Sequence, residues 1–251
     1  MVYDDVANRK DVSVIMEKRD EILIKDLSVK FGENVVFSDF SLSLPVRKIT
    51  CILGPSGSGK TTLLKALAGL IPADGFSAPR ASFIFQDHRL LPHLTALDNL
   101  AVVLDGKRED RRLRAKQMLD DMELSEAADL YPHELSGGMA QRVAIARGLL
   151  FDADLLLMDE PFKGLDLALQ ERLIRYFVKH WEESRRTAVF VTHSILEAIL
   201  VADKIVVMGK GAHGAEILYE KDFDLPRSAR ALGVPEVDAL RSEIHDLLVS
   251  L

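Results

Sequence analysis

The chain has 251 residues, a hydrophobic fraction of 48% and a formal net charge of −7. The length suits one large α/β domain, with or without a small helical insert, and the hydrophobic fraction is ample for a core, so a disordered chain is not the default expectation. The acidic balance argues against a general nucleic-acid-binding protein, because phosphate backbones select basic surfaces.

The sequence indicates neither a secretory leader nor a membrane span. Residues 1–5 include charged side chains and lack the apolar segment of a signal peptide, and no run of about 18 apolar residues occurs. The single cysteine, Cys51, cannot form an internal disulfide, which fits a reducing compartment. We therefore expect a cytoplasmic protein, to which another chain supplies any membrane-spanning part.

In chain order, a charged lead-in at residues 1–20 is followed by a predicted β-hairpin. Strand-like patterns at residues 22–31 and 35–44 flank the turn at residues 32–34. Phe31 lies at the hairpin tip, where its ring could stack on a purine or be an ordinary core or surface residue. The residues expected to be buried on the second strand are Val36, Phe40, Leu42 and Leu44.

The next segment carries a complete phosphate-binding pattern. An apolar run at residues 49–52 precedes Leu53 and the spacing G-x-x-x-x-G-K-[ST] from Gly54 to Thr61, and a helical pattern follows. Glycines let the backbone N–H groups approach phosphate oxygens, and the helix N-terminus adds its positive dipole end. A purely structural glycine turn would not explain a lysine and a threonine at these offsets. We predict that Lys60 reaches the β- and γ-phosphates and that the Thr61 hydroxyl binds Mg²⁺.

A short apolar run at residues 81–85 ends in the polar residue Gln86. Because α/β sheets bind ligands at the carboxyl ends of their strands, Gln86 is a candidate contact for Mg²⁺ or water. Residues 95–130 then show a helical pattern with no strand signal, which predicts a helical insert.

Residues 135–142 allow two interpretations. Ser136 is a good N-cap for the helix that follows, so this segment could simply be a capped helix start. Alternatively, the Ser136 hydroxyl and the N–H groups of Gly137 and Gly138 could face a phosphate as a second anion-binding helix N-terminus.

Two later strand patterns also end in polar side chains. The apolar run at residues 154–158 ends in Asp159 and Glu160, and adjacent carboxylates are costly in a core but reasonable beside a cation. We predict that Asp159 holds the Mg²⁺ shell and that Glu160 polarises the attacking water. The run at residues 187–192 ends in His193, interpreted as a γ-phosphate contact.

Together these motifs, in this order over residues 20–220, resemble the ATP-binding cassette (ABC) ATPase family. The phosphate-binding loop resembles Walker A, and residues 135–141 resemble the signature motif. The remaining parallels, in chain order, are Gln86 with the Q-loop glutamine, Asp159 and Glu160 with Walker B and its catalytic glutamate, residues 164–166 with the D-loop, and His193 with the switch histidine.

The resemblance implies a fold and a domain organisation. The expected fold is an α/β P-loop NTPase core with a mostly parallel sheet, an antiparallel N-terminal β subdomain and a helical insert. The ATPase domain would span residues 21–225 and its helical subdomain about residues 90–150. A helical tail would follow at residues 226–251.

The resemblance also implies ATP hydrolysis with Mg²⁺ in a head-to-tail dimer, in which the signature segment of one copy closes on ATP held by the other. Catalysis would involve Lys60, Glu160 and His193, and the metal contacts would be Thr61, Gln86 and Asp159. The expected ATP-binding residues are Phe31, Gly54, Pro55, Ser56, Gly57, Ser58, Gly59, Lys60, Thr61, Thr62, Gln86, Ser136, Gly137, Gly138 and Gln141.

Three departures from the family pattern remove no catalytic group. Met139 replaces the more usual Gln, Ser194 replaces Asp, and Lys163 with Gly164 replaces a small pair. The Lys163 and Ser194 changes are expected to affect only the packing between subunits. Met139, together with residues 85–92 and 240–244, resembles the importer subgroup for nitrate, sulfonate and taurine.

The first hypothesis is therefore an importer ATPase on the inner face of the cell membrane. Its partners would be a second copy of itself, integral-membrane permease subunits and, indirectly, an extracytoplasmic solute-binding protein, with no nucleic acid. The alternative is a soluble ABC ATPase without a transport role, although long coiled-coil insertions and a second cassette are absent from the sequence. A regulatory module that scarcely hydrolyses ATP is a third hypothesis, which the presence of Glu160 and His193 disfavours.

Overall fold

The computed structural model describes residues 20–74 and 76–251, so the predicted lead-in lies outside the described residues except for its last residue. The strands of the described part are β1 (Glu21–Phe31), β2 (Asn34–Pro45), β3 (Ile49–Leu53), β4 (Ala81–Ile84), β5 (Leu155–Asp159), β6 (Thr187–Val191), β7 (Lys204–Gly211) and β8 (Gly214–Asp222). The α-helices are α1 (Lys60–Leu67), α2 (Ala96–Ala101), α3 (Arg108–Asp121), α4 (Gly137–Leu150), α5 (Leu167–Ser184), α6 (Ile195–Val201) and α7 (Pro235–Val249). Short 3₁₀ helices occur at Ser125–Ala127, Pro132–Glu134 and Arg227–Ala229.

Six strands form the central sheet in the order β4-β5-β6-β3-β7-β8. The first five run parallel, and β8 pairs antiparallel with β7 at one edge. Every residue of β3, β5 and β6 is buried, as expected for parallel strands that are covered on both faces. The predicted mostly parallel α/β core is confirmed.

Alternate side chains of the sheet supply two separate cores. One face packs against the β1–β2 hairpin and α1, with Ile52 of β3 and Leu157 of β5 in that core. The other face packs against helices of the insert and of the C-terminal half, with Cys51 and Met158 in that core. This two-sided burial fixes the sheet between its covering layers, so the carboxyl ends of the strands are held rigidly.

The antiparallel hairpin forms as predicted, but one buried position was wrong. Val36 is only half-buried, and Phe37 is fully buried in its place. The reason is a β-bulge: Leu27 pairs with Phe40 and Val29 with Phe37, so one residue of β1 lies opposite two of β2. The extra residue, where Asp39 takes φ +54°, reverses the in–out alternation before it.

The predicted helical insert contains α2 and α3, with α4 following. The C-terminal tail is held by Arg230, whose buried guanidinium donates to the main-chain carbonyls of Phe223, Leu225, Ile199 and Ala202. Helix α7 packs on α6, so the tail adjoins the helix that follows His193. Among the described helices, none combines the length and apolar character needed to cross a membrane.

Candidate functional site

The candidate site lies at the carboxyl edge of the parallel strands. The phosphate-binding loop, residues 54–61, follows β3, while Asp159 ends β5 and Glu160 comes directly after it. Asp159 pairs with Val191, the last residue of β6, and His193 lies two residues further on. Gln86 lies two residues beyond Ile84, which pairs with Met158. Parallel pairing therefore brings four sequence-distant segments to one edge.

The backbone of the phosphate-binding loop depends on glycine. Gly54, Gly57 and Gly59 have φ of +148°, +84° and +90°, a region that other residues seldom adopt. A Cβ on Gly54 would lie 2.2 Å from the carbonyl oxygen of Met208, so only glycine fits there. Gly59 is the N-cap of α1 and aligns the first N–H groups of that helix with the loop.

Lys60 lies inside this loop rather than extending into solvent. Its ammonium donates to the carbonyl oxygens of Gly54 and Pro55, both at 2.8 Å, and lies 3.4 Å from the Ser58 hydroxyl. Burial lowers the pKa of Lys60, while the negative charges of Glu160 and Asp159 oppose that shift. The lysine is thus held beneath the loop, close enough to both carboxylates to feel their charge.

The other loop residues differ in exposure. Ser58 is buried, whereas Gly59 and Thr62 are half-buried. The exposed members are Pro55, Ser56, Gly57 and Thr61. Because this exposed loop lies above the buried Lys60 ammonium, it can receive an anionic ligand from solvent.

Asp159 is a buried carboxylate, 5% exposed, at the end of β5. Burial raises its pKa, and a hydrogen bond with Thr61 counteracts part of that rise. Carboxylate and hydroxyl oxygens are ligands suited to Mg²⁺, which takes few protein ligands and completes its shell with phosphate and water. The described residues contain no group of three or more His, Cys, Asp or Glu side chains that could hold a metal ion. Asp159 and Thr61 therefore suit a Mg²⁺ ion that also binds nucleotide better than one held by protein ligands alone.

Glu160 sits in a strained turn with φ +47°, and its N–H donates to the Val191 carbonyl. His193 Nδ1 lies 3.0 Å from its Oε1, and Lys163 Nζ lies 2.6 Å from its Oε2. Burial raises the pKa of Glu160, but the hydrogen bonds from Lys163 and His193 outweigh burial and hold it below its usual value. The carboxylate is therefore charged and oriented from both sides.

The pairing of Lys163 with Glu160 was missed by the sequence reasoning. The sequence predicts that Lys163 affects only the packing between subunits, yet its ammonium contacts the predicted catalytic glutamate of the same chain. Lys163 stands three residues after Glu160 and is followed by Gly164, and this spacing was the signal in the sequence that the two side chains could meet.

The signature segment begins α4. The Ser136 hydroxyl accepts a hydrogen bond from the N–H of Met139, as expected of an N-cap, and Ser136 and Gly137 are exposed. Gly138 is half-buried beside Leu165. The capped-helix interpretation is therefore correct, and it leaves the first N–H groups of α4 facing outward, so the anion-binding interpretation stays open as well.

Gln141 requires a correction, because it was predicted to contact ATP. The residue is 3% exposed, and its amide nitrogen donates to the main-chain carbonyl of Pro161. A buried amide held in this way cannot reach a ligand at the surface of the segment. Gln141 instead connects α4 to the turn that follows Glu160.

Phe31 and Gln86 both lie on the surface. Phe31 pairs with Asn34 at the hairpin tip and is 52% exposed, so its ring is accessible for stacking. Gln86 is exposed in the segment after β4. Their contacts with nucleotide and metal remain predictions.

Two polar groups behind the site, the half-buried Arg147 and the buried Glu197, were also missed. Arg147 of α4 donates to the carbonyl oxygens of His88 and Arg89 and to Asn99 Oδ1, which fastens the segment after Gln86 to the signature helix. Glu197 of α6 accepts from the Thr192 hydroxyl at 2.6 Å and fixes the residue before His193. The sequence did contain a signal for Arg147, because this residue is a lone charge within an apolar stretch of the helix.

The family model described as "ABC transporter" matches residues 37–163. The aliphatic sulfonates import ATP-binding protein SsuB 1 of Paracoccus denitrificans is 44% identical over 195 residues, which cover 76% of this chain and 80% of that protein. SsuB 2 of Streptomyces avermitilis is 40% identical over 217 residues, which cover 84% of this chain and 85% of that protein. The sulfate/thiosulfate import protein CysA of Escherichia coli K12 is 39% identical over 76% of this chain and 58% of its own length.

A solved structure provides a further comparison. The ATP-binding cassette MJ0796, described as dimeric in a post-hydrolysis state bound to ADP and Pi, aligns with a TM-score of 0.70 at 30% identity. The alignment covers 80% of this chain and 97% of that one.

Proposed function

This chain belongs to the ATP-binding proteins of the ABC transporter family, and from that membership we propose that it powers import of a small solute through a separate membrane permease. Its enzymatic activity is the hydrolysis of ATP to ADP and phosphate. The observation that carries the proposal is the meeting of Lys60, Asp159 and Glu160 at one edge of the sheet, where the charges of both carboxylates oppose the lowering of the Lys60 pKa by burial.

Different residues of this chain have different roles in ATP hydrolysis. The N–H groups of the phosphate-binding loop and the Lys60 ammonium hold the β- and γ-phosphates after the lysine leaves its carbonyl partners. Bound Mg²⁺, held by Thr61 and Asp159, would offset the charge that develops on the phosphate oxygens. Gln86 and His193 complete the contacts around the γ-phosphate.

Glu160 orients the attacking water and accepts its proton. Its depressed pKa keeps the carboxylate deprotonated at neutral pH, as an acceptor must be. His193 Nδ1 holds Oε1 at 3.0 Å, and Oε1 keeps a further lone pair for the water.

A head-to-tail dimer accounts for the second anion-binding feature of the chain. The phosphate-binding loop of the same chain does not need the outward-facing start of α4, because it already has its own N–H groups and Lys60. In the proposed dimer, Ser136, Gly137 and Gly138 of one copy close on the γ-phosphate of ATP bound to the other copy. The dimeric assembly of MJ0796 supports this arrangement.

The proposed substrate of transport is a sulfonate or a related oxyanion. The relatives named for aliphatic sulfonates and for sulfate/thiosulfate support this class, and the importer resemblance of residues 85–92 agrees with it. Solute selection would lie in the permease and in an extracytoplasmic binding protein. The chain itself would act at the inner face of the membrane.

Reconstitution tests the proposal. The chain, a permease encoded beside it and the matching binding protein are placed in proteoliposomes with MgATP inside and a labelled alkanesulfonate outside. Uptake that requires ATP and all three proteins supports the importer. Hydrolysis by the chain with no copurifying permease, and with no uptake of sulfonate, sulfate or nitrate, would favour the soluble ATPase.

A further inference from the structure

The segment from Glu160 to Gly164 folds the chain back onto the carboxylate of its own first residue. The N–H of Lys163 donates to the Glu160 carbonyl at 3.2 Å, which closes the turn. Phe162, 1% exposed, anchors the turn in the core, and Gly164 with φ +79° lets the chain leave it. Because these backbone features fix the position of Lys163, its side chain starts from a defined point above Glu160.

The resulting ion pair is shielded on its acidic side. Lys163 Nζ lies 2.6 Å from Glu160 Oε2, and the Glu160 side chain is only 16% exposed, against 47% for Lys163. Two fully exposed partners would be screened by solvent and would gain little. Here the lysine retains access to solvent while it contacts a carboxylate that water reaches poorly.

The two oxygens of Glu160 are held by different elements. His193, which follows β6, contacts Oε1 and has a side chain 60% exposed. Lys163 contacts Oε2 from within the same turn as Glu160. Rotation of the carboxylate about its terminal torsion would separate both the His193 contact and the Lys163 ion pair, so the two contacts together favour one orientation of Glu160.

We propose that Lys163 is a positioning residue for ATP hydrolysis, which acts by orienting the Glu160 carboxylate. This inference rests on the proposed function, in which Glu160 accepts the proton of the attacking water. In this role Lys163 touches neither ATP nor the attacking water, so its removal changes the rate of the chemical step and leaves nucleotide affinity intact.

The test compares Lys163→Met, which keeps an apolar stem, with Lys163→Arg, which keeps the positive charge. We expect Lys163→Met to lower kcat about tenfold, in line with the sensitivity of rates to small misplacements, and to change KM for ATP by less than about twofold. Lys163→Arg should recover most of the lost rate. Lys179→Met, at an exposed position of α5, is the matched control and should leave kcat unchanged.

A double-mutant cycle shows whether Lys163 acts through Glu160. In a Glu160→Gln background, Lys163→Met should alter the residual rate by less than about twofold, because the group that Lys163 orients is already disabled. An unchanged kcat in Lys163→Met, or a raised KM with normal kcat, would overturn the inference. So would an equal loss in both Glu160 backgrounds.

The experiment separates this inference from the proposed function. If the parent protein hydrolyses ATP and Glu160→Gln abolishes hydrolysis, the function of the site stands whatever Lys163 does. If the parent shows no hydrolysis alone or with its permease, the proposed function fails first. MgATP binding by calorimetry confirms in each case that the variants are folded.

Discussion

The side-chain amide of Gln141 donates a hydrogen bond to the main-chain carbonyl of Pro161. This contact ties the signature helix α4 to the turn that begins at Glu160. If α4 moves when a second copy closes onto it, we expect this contact to transmit the movement to Glu160, the proposed base of the same chain.

Gln141→Leu removes the donor while keeping a similar volume. We expect unfolding to become easier by about 1–3 kcal/mol, because the buried Pro161 carbonyl loses its partner. We also expect a lower kcat, because the turn carrying Glu160 is less well fixed. Urea denaturation and steady-state hydrolysis measure the two effects. A Gln170→Leu variant, which removes a side-chain partner of Glu197 instead, serves as a comparison. A normal kcat in Gln141→Leu would refute the proposed transmission.

Glu160→Gln keeps the shape of the side chain but cannot accept the proton of the attacking water. Hydrolysis should fall by about 100-fold or more, a typical loss for a general base. MgATP binding should persist, and the trapped nucleotide should yield a dimer in size-exclusion chromatography. Glu182→Gln, on the exposed surface of α5, is the control. Hydrolysis by Glu160→Gln at the parent rate would disprove the assigned role.

Lys60→Ala removes the buried ammonium from the phosphate-binding loop. Affinity for MgATP should drop by roughly tenfold or more, because a hydrogen bond to a charged group contributes about 1.5–3 kcal/mol. Isothermal titration calorimetry measures the change, with Lys179→Ala as the control. Unaltered ATP affinity would contradict the assignment of the loop.

Gly54→Ala and Gly57→Ala separate a steric clash from backbone strain. Both positions have positive φ, but a Cβ on Gly54 meets the Met208 carbonyl at 2.2 Å, whereas a Cβ on Gly57 meets nothing within 4 Å. Gly57→Ala should lower the free energy of unfolding by about 1–2 kcal/mol from strain alone. Gly54→Ala should lower it by at least about 1 kcal/mol more, the lower end of the cost of overpacking. Equal losses in urea denaturation would contradict this account.

Asp159→Asn tests the cost of the buried carboxylate. Because burial raises the pKa of Asp159, the folded protein binds its proton more tightly than the unfolded chain does. Stability then falls as pH rises from the unfolded pKa through the folded pKa, and the deficit persists at neutral pH. Without nucleotide, Asp159→Asn should therefore be more stable than the parent at neutral pH, and this advantage should shrink as the pH is lowered.

The same variant should lose the stabilisation that MgATP gives to the parent. Thermal denaturation with and without MgATP measures both properties, and Asp129→Asn on the surface is the control. If the variant were less stable than the parent in the absence of nucleotide, the carboxylate would be stabilising the fold, contrary to the argument from burial.

Local chemistry explains why much of the site was predictable. A phosphate-binding loop needs glycines, a lysine and a threonine at fixed offsets along one segment. Residues 54–61 have this pattern, so the loop can be predicted without reference to the rest of the chain. The buried parallel strands are likewise apparent as continuous apolar runs, such as residues 155–158, and the polar residue that ends each run marks the carboxyl edge.

The amino-acid sequence by itself determined the α/β class, the order of the motifs and the residue types of the phosphate-binding pattern, because each depends on spacing within one segment. The tertiary structure alone decided the contacts between segments. It buried Gln141 against Pro161 and placed the Lys163 ammonium on the Glu160 carboxylate. Through a β-bulge, it also turned Phe37 rather than Val36 into the core. The physical reason is that such contacts depend on strand register, turn geometry and side-chain direction, which arise only when the sheet and its covering layers have packed.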